Sequence, residues 1–356
     1  MRNYNKLAID YIKTYAQERQ DSAKAFIRHV CTMSDIDDGQ LEQLKELIRT
    51  KARLGVHFHP YRLNKDLKTV LELLVDDGMY KNQFETQLSN GSLTAYKGGK
   101  RDVWENTLFG QIYENHEVPL SDHPKYGALD LLQHSDGPSP RFGSCFLVLK
   151  PHLTNYTTFS YLDSYSNPKE KGTIQYFDEL LASLLVECFE RSYAIGEKKI
   201  RPHQLVKKII DCLNSTDQSY KRTPKRNLNH YIEAQIHTPI DLKKDVDLLV
   251  VDACYKRTEF ESLLHQLSEK YAVELKWNLG FELLASEVPP HFRGNKMPEL
   301  AKKIAEKGKI NAYVLGKMEQ KYRAERMDEN ILNGKLQYLK YLWHILVQYG
   351  KTIEKP

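Results

Sequence analysis

The chain has 356 residues, 41% of them apolar and 28% charged, with a formal net charge of +5. That length suits one large domain or two medium ones around a packed core. The mild, mixed charge argues against a nucleic-acid partner, since basic residues concentrate only in the proline-bearing run Lys221–Arg226, and no apolar run is long enough for a transmembrane helix.

Residues 3–53 read as helices. Leu7, Ile9, Tyr11 and Ile12, then Ala23, Phe26, Ile27 and Val30, recur at helical spacing, and capping residues between Asp35 and Gln40 precede LEQLKELIRTKAR. The N-terminus is amphipathic and lacks the apolar core of a signal peptide. Residues 54–163 are rich in glycine, aromatics and short strand patterns. LGVHFHPYR at 54–62 reads as a strand, LNKDLKTVLELLVDDG as a helix with Leu67, Val70, Leu71 and Leu74 apolar and Gly78 as its stop, and Asn90-Gly91 as a turn. RFGSCFLVLK and YTTFSYLDSY are further strands. Residues 168–228 switch to a helical period and read as an all-helical insertion. YIEAQIHTPIDL at 231–242 returns to strand, residues 243–288 add a helix and a strand, and 297–351 is helical and charged. The five cysteines, Cys31, Cys145, Cys188, Cys212 and Cys254, are scattered without C-x-x-C spacing, which predicts reduced thiols in a cytoplasmic setting.

Two strands carry unusual polar faces. Alternation puts Glu233, Gln235 and His237 on one side of YIEAQIH and Ile232, Ala234 and Ile236 on the other. In LGVHFHPYR it puts His57 and His59 opposite Val56 and Phe58. A carboxylate, an amide and imidazoles in line suit a cleft. The plainer alternative is a pair of edge strands whose polar groups are simply paired. Chemistry alone also allows a metal-dependent hydrolase, with His57, His59, His237 and Glu233 as ligands.

Seven motifs in order carry a resemblance: FHP-x-R at 58–62, QFET-xx-SNG at 83–91, GGKRD-x-WE at 98–105, YGAL at 126–129, PRFGSCFLVLKP at 140–151, TTFSY-x-DS at 157–164 and YIEAQIH at 231–237. Over residues 53–260 the chain resembles the CteC-like threonine-directed ADP-ribosyltransferases, bacterial effectors formerly catalogued as a domain of unknown function. It departs from that pattern at Gln87 and Leu162, which stand where the family has glycine. The resemblance implies an α+β fold: an ADP-ribosyltransferase-like split antiparallel β-sandwich, similar to the poly(ADP-ribose) polymerase branch, with a helical insertion and helical flanks. The division that follows is an N-terminal helical region at 1–53, a core at 54–167 and 229–290, an insertion at 168–228 and a C-terminal helical region at 291–356.

The activity implied is mono-ADP-ribosyl transfer from NAD, as substrate, to a threonine hydroxyl of a protein, with ubiquitin the expected acceptor. Glu233 would stabilise the cationic ribose and Asp163 would take the hydroxyl proton, with Asp130, Asp245 and Asp252 as competitors for the second role. NAD contacts are expected from His59 and Arg62, from the loop Gln83, Phe84, Ser89, Asn90 and Gly91, from Tyr126 and from Gln235. Arg101, Trp104 and Glu105 form a charged and aromatic cluster to which no role is assigned, and Arg141 and Ser144 read as supports of the fold. The insertion, with Lys198, Lys199, Arg201, Lys207 and Lys208 beside Tyr176 and Tyr193, is the expected docking element for the acceptor. The resemblance also allows delivery into a host cytosol as an effector. A non-catalytic binding module, with the strands as scaffold, is the remaining alternative.

Overall fold

The structure, a computed structural model, describes residues 3–88, 95–114, 118–215, 228–325 and 327–353. Eight strands join in one mixed sheet: β1 (Arg53–Phe58), β2 (Lys125–Asp130), β3 (Cys145–Leu149), β4 (Thr157–Tyr161), β5 (Lys171–Thr173), β6 (Ile232–Ile236), β7 (Val246–Asp252) and β8 (Glu274–Asn278). Their order across the sheet is β8-β7-β3-β1-β2-β6-β4-β5. All neighbours are antiparallel except β7 and β8, which a helix separates in sequence, as a parallel pair requires. The α+β class expected from the sequence holds: a large mixed sheet packs with helices, beside three two-stranded sheets.

The helices of eight residues or more are α1 (Asn3–Glu18), α2 (Gln20–Met33) and α3 (Asp38–Lys51) before the sheet; α4 (Val70–Asp77) and α5 (Lys100–Leu108) between β1 and β2; α6 (Asp178–Arg191) and α7 (Pro202–Asn214) between β5 and β6; α8 (Glu259–Tyr271) between β7 and β8; and α9 (Met297–Ile304), α10 (Ala312–Ala324) and α11 (Glu329–Tyr349) at the end; Gln83–Thr86 and Leu242–Asp245 are single helical turns. Local chemistry sets their bounds. Asp37 caps α3 by accepting from Gln40 N at 2.8 Å. α4 ends at Gly78, whose φ of 65° is left-handed.

Two expectations need correction. The helix predicted from Leu63 begins only at Val70. Asn64 Oδ1 accepts from the backbone of Asp66 and Lys68, Leu63 bridges to Thr69, and Leu67 is exposed with φ 61°, so residues 63–69 form a turn in front of the Thr69 cap. The segment read as all-helical contains β5, which pairs with β4, and a short hairpin of Tyr193–Ala194 with Glu197–Lys198. The basic run at 221–226 lies outside the described residues.

The two faces of the sheet differ. Leu54, Val56, Leu147, Leu149, Ala234 and Ile236 belong to the main core with the helices. Phe146, Val148, Leu248 and Val250 form a small apolar patch on the opposite face. Alternation places His57 and Glu233 on that opposite face, and His57 stacks on Phe146 at 4.8 Å.

The sheet forks. β1 and β2 pair only through Arg53↔Asp130, Leu54↔Leu129 and Gly55↔Ala128. Beyond Gly55, β1 runs on against β3, while β2 before Ala128 pairs with β6. At the fork Gly127 is required by close approach, because a Cβ there would lie 2.8 Å from the Gly55 carbonyl oxygen.

Candidate active site

The fork opens into a cavity of about 340 Å³. Its walls come from His57 on β1, Tyr126 and Gly127 on β2, Glu233 on β6, Asp163 and Ser164 just after β4, Arg101 and Trp104 on α5, Arg141 in the loop before β3, and Lys340 on α11. The two carboxylates expected to work together therefore share one cleft. Asp130, Asp245 and Asp252 do not line it. Each caps a local turn, accepting from Gln133 N, Asp241 N and Cys254 N respectively.

Glu233 is held at the middle of its strand, flanked by Ala128 on β2 and Ser160 on β4. Only 5% of it is exposed. Its Oε1 accepts from Gln235 Nε2 at 3.0 Å and from Ser164 N at 3.4 Å. Burial, helped by the negative charge of Asp163, pushes its carboxyl up to about 7, against the opposing pull of those hydrogen bonds and of Arg101. The group therefore changes charge near neutral pH, which a surface glutamate does not.

Asp163 is more open. Its Oδ1 accepts from Tyr165 N at 3.0 Å, and its Oδ2 lies 3.7 Å from Arg141 Nη1. It does cap a turn, as an aspartate before serine would, yet the same turn aims it at the cavity. Leu162 before it adopts φ 67°, and Gln87 adopts φ 55°. Both positions take the left-handed conformation that glycine adopts without strain.

The predicted NAD contacts separate. Tyr126 and Gln83 line the cleft, and the Tyr126 hydroxyl donates to Glu105 Oε1 at 2.8 Å. Gln235 is buried behind Glu233: it donates to Glu233 and Ser160 and accepts from Thr158, so it positions the carboxylate and does not face the cavity. Phe84 is a core residue, 1% exposed and stacked on His123 at 3.8 Å. His59 lies past the end of β1, wedged 5.0 Å from the rings of both Tyr61 and Trp343, and burial holds its pKa well below the usual range. His59 and Arg62 line a second cavity of about 590 Å³, which shares His57, Tyr80, Lys81 and Gln83 with the first. Ser89, Asn90 and Gly91 lie outside the described residues.

The alternative metal set does not converge. His57 Nδ1 is 3.1 Å from the Gly143 carbonyl oxygen and its Nε2 accepts from Ser139 N at 3.3 Å, so both ring nitrogens meet backbone. Those of His237 meet the hydroxyls of Tyr113 and Thr158, and burial lowers its pKa to about 3. Among the described residues no group of three or more His, Cys, Asp or Glu is placed to hold a metal ion.

Among the described residues six cations line the cleft, Lys81, Lys100, Arg101, Lys125, Arg141 and Lys340, and none was assigned to it from sequence; Arg101, Arg141 and Lys340 bear most on the carboxylates. Arg141 donates to Asn229 Oδ1 and faces Asp163. Lys340 is lowered to about 8, first by burial and then by the nearby Arg141, Arg62 and Arg293. It arrives because Trp343, one turn further along α11, donates from Nε1 to the Pro140 carbonyl at 3.0 Å and seats the helix over the loop that carries Arg141. No local pattern in the sequence signals that docking. Arg101 did carry a signal: with Trp104 and Glu105 it has i, i+3, i+4 spacing, which puts all three on one helical face.

A family profile described as Protein of unknown function (DUF3626) matches residues 53–349. The matched span takes in all eight strands and runs through α11, so every described residue of the cleft lies inside it, while α1 to α3 precede it. No curated protein matches the chain.

Proposed function

The chain belongs to the DUF3626 family of proteins of unknown function, and we propose that its activity is NAD-dependent mono-ADP-ribosyl transfer to a threonine hydroxyl of a target protein, with ubiquitin the first acceptor to test. The observation that carries this reading is the forked sheet, which brings a buried, near-neutral carboxyl and a second carboxylate into one cation-flanked cleft. A cleft of about 340 Å³ beside one of about 590 Å³ also has the capacity of small-molecule sites, which run from about 300 to 1,000 Å³.

The chemistry follows from the pair. Cleaving the ribose C1′–nicotinamide bond sends its electrons to the nicotinamide nitrogen, which leaves neutral, and positive charge develops on the ribose. Glu233, ionised and fixed by Gln235 and Ser164, stabilises that charge or holds a ribose hydroxyl. The threonine oxygen then bonds to C1′ and its proton passes to Asp163, the more exposed carboxylate on the same rim. Arg141 and Lys340 supply the positive field a dinucleotide requires.

Acceptor docking is assigned to 168–228, a cytoplasmic or host-cytosol target being part of the same reading. Much of that segment is occupied internally: α6 packs on α2, and α7 on α3. Tyr176 and Tyr193 are half-buried, and Tyr193 meets the His230 ring at 4.6 Å, so these aromatics are partly engaged within the chain. Lys198, Lys199, Arg201 and Lys207 remain exposed. The test is incubation with NAD and ubiquitin followed by intact mass measurement. Addition of one ADP-ribose unit supports the reading, and unmodified ubiquitin with intact NAD overturns it.

A further inference from the structure

Arg101 has no role in the bond-breaking and proton-transfer steps above, yet its guanidinium is closely held in the cleft wall. Its side chain is 13% exposed. Its Cζ lies 4.5 Å from the ring centroid of Trp104 and 4.7 Å from that of Tyr126, so the guanidinium is clamped between two aromatic rings. Beneath it sits the fully buried Glu105. One oxygen of that carboxylate accepts from the Tyr126 hydroxyl and the other lies 2.8 Å from His123 Nδ1. Arg101 Nη1 is 3.8 Å from Glu105 Oε1, an ion pair without a hydrogen bond. The ring clamp and the buried carboxylate fix both the place and the orientation of the fork.

Its donors are nevertheless unmatched. Arg101 Nε and Nη1, Trp104 Nε1 and Arg141 Nε are all buried and without a hydrogen-bond partner. All belong to residues of the cleft wall. Buried donors are bonded in the great majority of cases, so four unmatched ones on the wall of one cavity mark where an acceptor-rich ligand binds. Among the described residues of that wall, Gln83 Oε1 is the only fully buried side-chain acceptor without a partner. A planar fork with stacked rings suits a phosphate, whose oxygens accept paired N–H bonds.

We infer that Arg101, clamped by Trp104 and Tyr126, is the binding residue for a diphosphate group, which on the transfer reading above is the pyrophosphate of NAD. Glu105 acts through Arg101 and Tyr126 as a positioning residue.

Titration calorimetry with ADP and with inorganic pyrophosphate tests this on the full chain. Wild type should bind ADP, and Arg101→Ala should weaken that binding by about 10- to 100-fold, the usual worth of charge-assisted hydrogen bonds. Arg101→Lys keeps a positive charge beside Glu105, so it should keep the fold, yet it should lose a similar factor because an ammonium can neither fork nor stack. Equal ADP affinity in wild type and Arg101→Lys would overturn the inference, as would a wild type that binds neither ADP nor pyrophosphate at millimolar concentration. The two readings fail separately. If NAD is consumed with its KM unchanged in the Arg101 variants, this inference falls and the transfer reading stands. If ADP binds through Arg101 but NAD is neither bound nor cleaved, the diphosphate site stands and the transfer reading falls.

Discussion

Glu233 sits where a carboxylate is costly to ionise, and this makes a prediction independent of any substrate. Its pKa in the fold, about 7, lies above its ordinary 4.5. The folded state therefore holds the proton more tightly than the unfolded state. Its contribution to stability is fully present below about pH 4.5 and is lost as pH rises through about 7. Glu233→Gln removes that dependence. Relative to wild type, the variant should gain stability between pH 5 and pH 8, by at most ~3 kcal/mol at about 1.4 kcal/mol per pKa unit, read from denaturant melts at both pH values. Parallel melts at the two values would mean that the carboxyl is not buried as described. Asp163, being more open, should behave differently: Asp163→Asn should depress transfer to a hydroxyl acceptor more than NAD hydrolysis, since water needs less help from a base than a positioned threonine does. Equal losses would make it a positioning group. Glu233 stood out in the chain because strand alternation sets it apart from Ile232 and Ala234, whereas Asp163 was singled out only by the TTFSY-x-DS motif of the resemblance, with Asp130, Asp245 and Asp252 left open beside it. The place of Phe84 was not legible: an aromatic in a polar loop gives no sign that it will stack on His123, a contact made only in the fold.

The fork between β1 and β2 is what turns these side chains into a site, and it is invisible to periodicity. Both strands are short and apolar enough to pair along their whole length. What limits the ladder is that each finds a second partner, β3 for β1 and β6 for β2. Helix and strand identities were read correctly where the period was long, as in α3 and β3. They failed where side chains bonded locally to backbone, as Asn64 does before α4. The turn after β4 offers a test of strain. Leu162 holds φ 67° directly before Asp163. Leu162→Gly should keep NAD turnover within about twofold, since glycine adopts that conformation freely, whereas Leu162→Val should be the less stable of the two despite its larger apolar side chain. A more stable valine variant would show that side-chain packing, not backbone conformation, dominates there. In the inserted segment, Lys208 is paired with Glu197 at 2.6 Å, while Lys207 is exposed. Lys207→Glu, alone or with Lys199→Glu, should lower transfer to the acceptor several-fold and leave NAD hydrolysis unchanged. No effect on either would move docking to the terminal helices.

Taken whole, the molecule brings its C-terminal helices back to the cleft. The C-terminal helices look like a charged appendage beyond residue 290, yet α11 reaches back over the loop at Pro140 and delivers Lys340 to the cleft. The family match runs as far as Tyr349, the last residue of that helix, in keeping with a site built from both ends of the matched span. Such closure depends on contacts between residues far apart in the chain, and spacing carries no information about them. No helix among the described residues is long and apolar enough to cross a membrane. The most direct measurement is release of nicotinamide from NAD by wild type and by Glu233→Gln at pH 8, with melting curves of both. Wild type should release nicotinamide, and the variant, folded at least as stably, should be slower by ~10²–10³-fold, the loss expected when a group that stabilises developing charge is removed. Intact NAD with folded wild type, or equal release by the two proteins, would contradict the assignment of this cleft to NAD cleavage.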